Sequence, residues 1–146
     1  MVAARRAYLD TSALAKWYLD ESGSEALVTY LQSLDVAVIT RLTVTEMRSL
    51  LSRRRRMGEL TDQLESVLFS ALHEDIDRGW LQCYRIEDAL FGEASRLITR
   101  YPEHPLRTLD ALHLTSAMHF GIAELATADT AMANAAISMG FEVSRF

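Results

Sequence analysis

The sequence predicts an α/β fold: a three-layer α/β/α sandwich with a central parallel sheet of about five strands, in a single domain spanning residues 1–146. Short strand-forming runs alternate with helical segments from end to end, as in a parallel sheet covered on both faces. The run Val36-Ala37-Val38-Ile39 is apolar without alternation, as a strand buried on both sides must be. The length of 146 residues, 49% of them hydrophobic and 24% charged, suffices for one sound core without a disulfide or structural zinc.

Residues Arg6–Leu9 form the first strand, and Thr11-Ser12 open a helix carrying Leu14, Trp17, Tyr18 and Leu19. Ser12 is read as its cap. Gly23-Ser24 start a second helix, to about Leu34, and the Val36–Ile39 strand follows. A helix then runs from about Thr43 to Met57, ended by Gly58, and another from about Thr61 to Arg78, ended by Gly79. Trp80–Ile86 reads as the third strand, with a helix from about Glu87 to Tyr101 after it. Pro102 and Pro105 mark a loop. Beyond it lie a helix from Thr108 to His119, a strand near Leu125–Thr127, a helix from Thr130 to Met139 and a last strand, Glu142–Ser144. No internal repeat or low-complexity segment interrupts this order. The apolar residues Leu14, Trp17, Tyr18, Leu27 and Leu31 exceed what one core face needs, so some are candidates for a partner surface.

Cys83 is the only cysteine, which excludes an intramolecular disulfide and a thiolate zinc cluster. It reads as a small core residue. No secretory signal or membrane-length apolar run is present, and a cytoplasmic location is expected. The net charge of −5 argues against a polyanionic partner at first sight, yet a nest of four acids would account for most of that excess.

Asp10, Glu46, Asp110 and Asp129 are those acids. Asp10 ends the first strand, Asp129 follows the fourth, and Asp110 lies in the first turn of the helix after the proline loop. In open parallel sheets, ligands bind beyond the carboxyl ends of the strands. Each of these three aspartates is also explained by helix capping or by the macrodipole. Glu46 has Leu42 and Leu50 four residues to either side, so it is expected to face the body of the protein. An ionised carboxylate there needs a buried arginine or a metal. An all-oxygen set of four carboxylates suits Mg²⁺ or Mn²⁺ and suits zinc poorly. Such ions lower the pKa of bound water and clamp the oxygens of a phosphoryl displacement. Thr11, Ser12 and Thr127 adjoin the acids and are suited to support a ligand water or a phosphate oxygen.

These residues carry a family resemblance. Tyr8-Leu9-Asp10-Thr11-Ser12-Ala13-Leu14-Ala15-Lys16 resembles the opening of a PIN-domain protein. Leu109-Asp110-Ala111-Leu112-His113-Leu114 is similar to the family's LDALHLA helix, and Leu125-Ala126-Thr127-Ala128-Asp129-Thr130 to its late TaD turn. Glu46 falls where the family places an acid on a helix. Size and motif style resemble the VapC toxins of type II toxin–antitoxin pairs. The resemblance implies a Mg²⁺- or Mn²⁺-dependent endoribonuclease, a homodimer held inactive by a VapB-like antitoxin, with Asp10, Glu46, Asp110 and Asp129 as metal-binding and catalytic residues. It departs from the pattern at Thr130, where the family often has a basic residue.

Two other groups invite a role. Arg48 and the run Arg53-Arg54-Arg55-Arg56 are candidates for RNA or antitoxin contact, although a solvated, dipole-favoured helix end explains the run more simply. His113 is read as a packed, hydrogen-bonded helix residue rather than a metal ligand. Two rival functions remain open at this point: a PIN-type RNA-processing nuclease without an antitoxin, and a non-catalytic α/β binding module. A receiver-like version of the latter is poorly served, because Lys16 on the first helix is the only lysine.

Overall fold

The computed structural model describes residues 2–146. In chain order the elements are β1 (Arg6–Leu9), α1 (Thr11–Tyr18), α2 (Ser24–Gln32), β2 (Val36–Thr40), α3 (Arg41–Arg56), α4 (Asp62–Asp77), β3 (Leu81–Tyr84), α5 (Ala89–Arg100), α6 (Thr108–His119), β4 (Glu124–Thr127), α7 (Thr130–Ser138) and β5 (Glu142–Arg145). The strands form one sheet in the order β3-β2-β1-β4-β5, and every pair is parallel. The chain first builds outward from β1 through β2 to β3, then returns to the other side of β1 for β4 and β5. The reversal of strand order therefore falls between β1 and β4, where a parallel sheet opens a crevice at its carboxyl edge.

Successive strand residues point to opposite faces, and each face has its own core. Tyr8, Val38 and Leu125 pack with Ala94 and Leu97 of α5, Ala111 and Leu114 of α6, and Met132 and Ala135 of α7. On the other face, Leu9, Ile39 and Ala126 meet Leu14 of α1, Leu27 of α2, Met47 and Leu51 of α3, and Leu72 of α4. Two helical layers thus enclose the sheet, as the alternation of elements predicts. Leu14 and Leu27 are wholly buried, while Trp17, Tyr18 and Leu31 lie against the same core, so packing accounts for the apolar excess of the early helices. No helix among the described residues is long and apolar enough to cross a membrane.

Several boundaries shift for local reasons. The third helix begins two residues before the expected Thr43, because Thr40 caps it and its backbone N–H donates to Thr43 Oγ1 at 3.2 Å. β3 is shorter than the expected Trp80–Ile86. It is an edge strand paired only with β2, and Trp80 stands 66% exposed before it. Cys83 on that strand is half-buried and packs at the margin of the core. Gly23, at the start of α2, has φ +91°, and a Cβ there would lie 3.0 Å from the backbone of Phe146. Both the conformation and the space demand glycine.

Leu125 is fully buried in β4, beside β1 and against α5–α7. Leu125→Ala is expected to cost about 2–5 kcal/mol, read from the urea midpoint at unchanged slope. A loss below about 1 kcal/mol would show that this strand is not part of the packed centre.

Candidate active site

Asp10, the residue after β1, is the N-cap of α1 and is only 4% exposed. Its Oδ1 accepts from the Ala13 backbone N–H at 3.0 Å and from the Ser12 hydroxyl at 2.7 Å. Its Oδ2 accepts from the Thr127 hydroxyl at 2.5 Å. Burial is the largest influence on this carboxyl and holds its pKa above the usual range, against the opposing pull of those three donors. Ser12 is therefore not the cap of α1, as expected from sequence. Asp10 is, and the Ser12 hydroxyl instead bridges to the turn after β4, accepting from the Ala128 backbone N–H at 2.9 Å.

Asp129 caps α7 through Oδ1, which accepts from the Met132 backbone N–H at 2.9 Å. Asp110, in the first turn of α6, accepts from the Arg107 backbone N–H at 3.1 Å and lies 3.6 Å from its guanidinium. The capping explanation thus holds for all three aspartates. It does not compete with the other reading, because all three also line one cavity. Glu46 joins them there, half-buried on α3.

The sequence leaves Glu46 a choice between an arginine and a metal, and its protein partner is neither. Its Oε1 accepts from the Thr11 hydroxyl at 3.0 Å and from His113 Nε2. His113, 2% exposed, has Tyr8 Oη 2.6 Å from its Nδ1. Burial raises the Tyr8 pKa, so the phenol stays protonated and has a proton to give. A carboxylate only accepts, so Nε2 donates to Glu46, and the Tyr8 hydroxyl holds the other ring nitrogen. His113 is hydrogen-bonded and packed, as the sequence predicts. Its partner was the part not legible: three residues after Asp110 places it on the same face of α6, but nothing local points to α3.

The cavity measures about 400 Å³ and is lined by all four acids, with Thr11, Ser12 and His113. Thr127 lies beneath it, bonded to Asp10. Of the arginines singled out in the sequence, Arg53 and Arg56 reach the cavity wall and Arg48, Arg54 and Arg55 do not. Arg107, which the sequence reading passes over, lines it as well. Thr130, which stands where the family often has a basic residue, accepts from the Arg145 guanidinium of β5 at 3.0 Å. A second cavity, about 450 Å³, opens near the starts of β2 and β3. Its acids are already engaged: Asp35 accepts from the Arg5 backbone N–H and Asp75 from the Tyr18 hydroxyl.

The donor set of the first cavity is oxygen-rich, with its one imidazole already bonded to Glu46, and this chemistry fits a hard divalent cation. Among the described residues, no three acids, histidines or cysteines stand close enough together to hold an ion as they are placed.

The raised pKa of Asp10 has a stability consequence. An acid that titrates higher in the folded state than in the unfolded one stabilises the fold fully below its unfolded pKa, about 3.9. That contribution is lost as pH rises through the folded value. In chelator-treated buffer, the stability of Asp10→Asn relative to wild type should therefore grow from pH 4 to pH 7.5 in urea titrations. A constant difference across that window would show that Asp10 is not penalised by burial.

Residues 7–138 match the family model described as PIN domain. Ribonuclease VapC46 of Mycobacterium tuberculosis is 31% identical over 138 residues, covering 93% of this chain and 94% of that protein. The fold is similar to that of the Mycobacterium tuberculosis toxin VapC20, described as cleaving the sarcin–ricin loop, with TM-score 0.74 and 18% identity over 96% of this chain and 99% of that one. It is also similar to VapBC2 of Rickettsia felis, solved bound to a fragment of promoter DNA, with TM-score 0.67 and 12% identity over 97% and 98% of the two chains. With the family model spanning nearly the whole length and the four sequence motifs in order, the chain belongs to the PIN-domain family.

Proposed function

We propose that this protein is a Mg²⁺- or Mn²⁺-dependent endoribonuclease, the toxin of a type II toxin–antitoxin pair of the VapBC kind. The observation that carries the reading is the convergence of four carboxylates, from the ends of β1 and β4 and from α3 and α6, on one cavity at the carboxyl edge of the sheet. Identity to a VapC ribonuclease over 93% of the chain supports it. The fold shared with a VapBC protein supports a VapB-like antitoxin, and the homodimer that the family resemblance implies is part of the same reading. The toxin acts in the cytoplasm, on RNA.

Asp10, Glu46, Asp110 and Asp129 would hold the cation. When bound, it supplies an acidified water and positive charge at the phosphate oxygens. The protein's own groups then orient and neutralise. Thr127, Ser12 and the N-terminus of α1 fix the Asp10 carboxylate from three directions, so it presents a set geometry without reorganising. Thr11 and His113 both hold Oε1 of Glu46, a residue of the cavity wall, and leave Oε2 free of them. Water attacks phosphorus in line, the bond to the 3′ oxygen breaks, and a 5′-phosphate and a 3′-hydroxyl result. No side chain becomes covalently attached.

Cleavage of total RNA by antitoxin-free protein should require Mn²⁺ or Mg²⁺. Asp10→Asn or Glu46→Gln should lower the rate at least about a hundredfold, as loss of several kcal/mol of charge stabilisation implies. Folded wild type that leaves RNA intact with either ion, or variants that cut like wild type, would refute the nuclease.

A further inference from the structure

Five of the six arginines of α3, Arg48 and Arg53 to Arg56, divide into two groups. Arg54 is paired with Glu21 at 3.1 Å and Glu59 at 3.0 Å. Arg55 reaches the buried Glu65 at 2.5 Å and Asp62 at 3.7 Å. Arg48 lies 3.4 Å from Glu65, with its guanidinium over the Phe69 ring. These three tie α3 to α4 and to the segment before α2, and their charge is spent. Arg53 and Arg56 are exposed and have no acidic partner among the described residues.

Helical spacing explains the division. Glu46, Ser49, Leu50, Arg53 and Arg56 recur at three- and four-residue steps and form the cavity face of α3. At 1.5 Å per residue, Arg53 stands about 10 Å and Arg56 about 15 Å along the helix axis from Glu46. Arg107 stands on the same cavity from α6, with its side chain 80% exposed. A net charge of −5 and four carboxylates in one cavity repel a phosphodiester chain unless cations line its approach. Planar guanidinium forks free of carboxylates are suited to phosphate oxygens.

Resting on the nuclease reading, we propose that Arg53 and Arg56 are substrate-positioning residues that bind backbone phosphates of single-stranded RNA beside the scissile one, so that the strand runs along α3, with Arg107 flanking it on α6. Arg54 and Arg55 take no part in this contact.

The test is steady-state cleavage of a labelled single-stranded RNA at saturating Mn²⁺ over a range of KCl concentrations. Each phosphate contact to a single strand contributes a log–log salt slope of about 0.7, so Arg53→Ala/Arg56→Ala should flatten the dependence of kcat/KM by about 1.4. The same double variant should raise KM about tenfold and leave kcat within about twofold. Arg54→Gln/Arg55→Gln should keep the wild-type slope and KM while lowering Tm. An unchanged slope and KM in a cleaving, folded Arg53→Ala/Arg56→Ala protein overturns this proposal and leaves the nuclease standing. So does loss of poly-glutamate binding at unchanged RNA kinetics, which would assign the face to an acidic protein segment. Absence of cleavage by wild type overturns both.

Discussion

The Asp10 carboxylate is the constraint on which the rest of the arrangement depends. It sits at the end of the central strand β1, buried, with no cationic side chain bonded to it. A charge there is costly, and three hydrogen bonds offset only part of the cost. Those bonds come from two different parts of the chain. Ser12 and the Ala13 backbone belong to α1, whereas Thr127 ends β4 more than a hundred residues later. The same carboxylate therefore starts a helix, joins β1 to β4 at the reversal in strand order, and faces the cavity.

A similar economy governs Glu46 and the arginines. Glu46 is held by Thr11 from α1 and His113 from α6, so elements on both faces of the sheet meet at one carboxylate. Behind it the buried Tyr8 hydroxyl supports the imidazole. The positive charge of α3 is shared between structure and cavity by the helical period alone. The residues that turn toward α4 find Glu65 and Asp62, and those that turn toward the cavity find no acid to pair with. A net acidic protein thereby presents unpaired cations where the acids would otherwise exclude a phosphate chain.

The layers were legible in sequence because the signals are local. β1 and α6 have their predicted limits, and β2 and β4 differ by one residue or less at each end, since apolar runs and caps lie in adjacent residues. β3 was overestimated because an edge strand with one neighbour pairs over fewer residues than its β-forming composition suggests. The four acids were legible from motif order and line one cavity, whereas Thr11, Ser12 and Thr127, read as supports for a ligand water or phosphate oxygen, hydrogen-bond the acids themselves. What sequence did not convey was long-range. The Glu46–His113 pair spans two helices, the Ser12 hydroxyl serves a distant turn instead of its own helix, and Arg107 precedes its helix in a loop with no periodicity to mark it.

The central claim is that acids from four elements make one divalent-cation site. It is tested most directly by titrating the purified protein with Mn²⁺ and following free ion by electron paramagnetic resonance. The account predicts saturable uptake by wild type that is lost in Asp10→Asn and in Asp110→Asn and kept in Arg54→Gln. Uptake unchanged by either aspartate substitution, or no uptake by folded wild type, would contradict it.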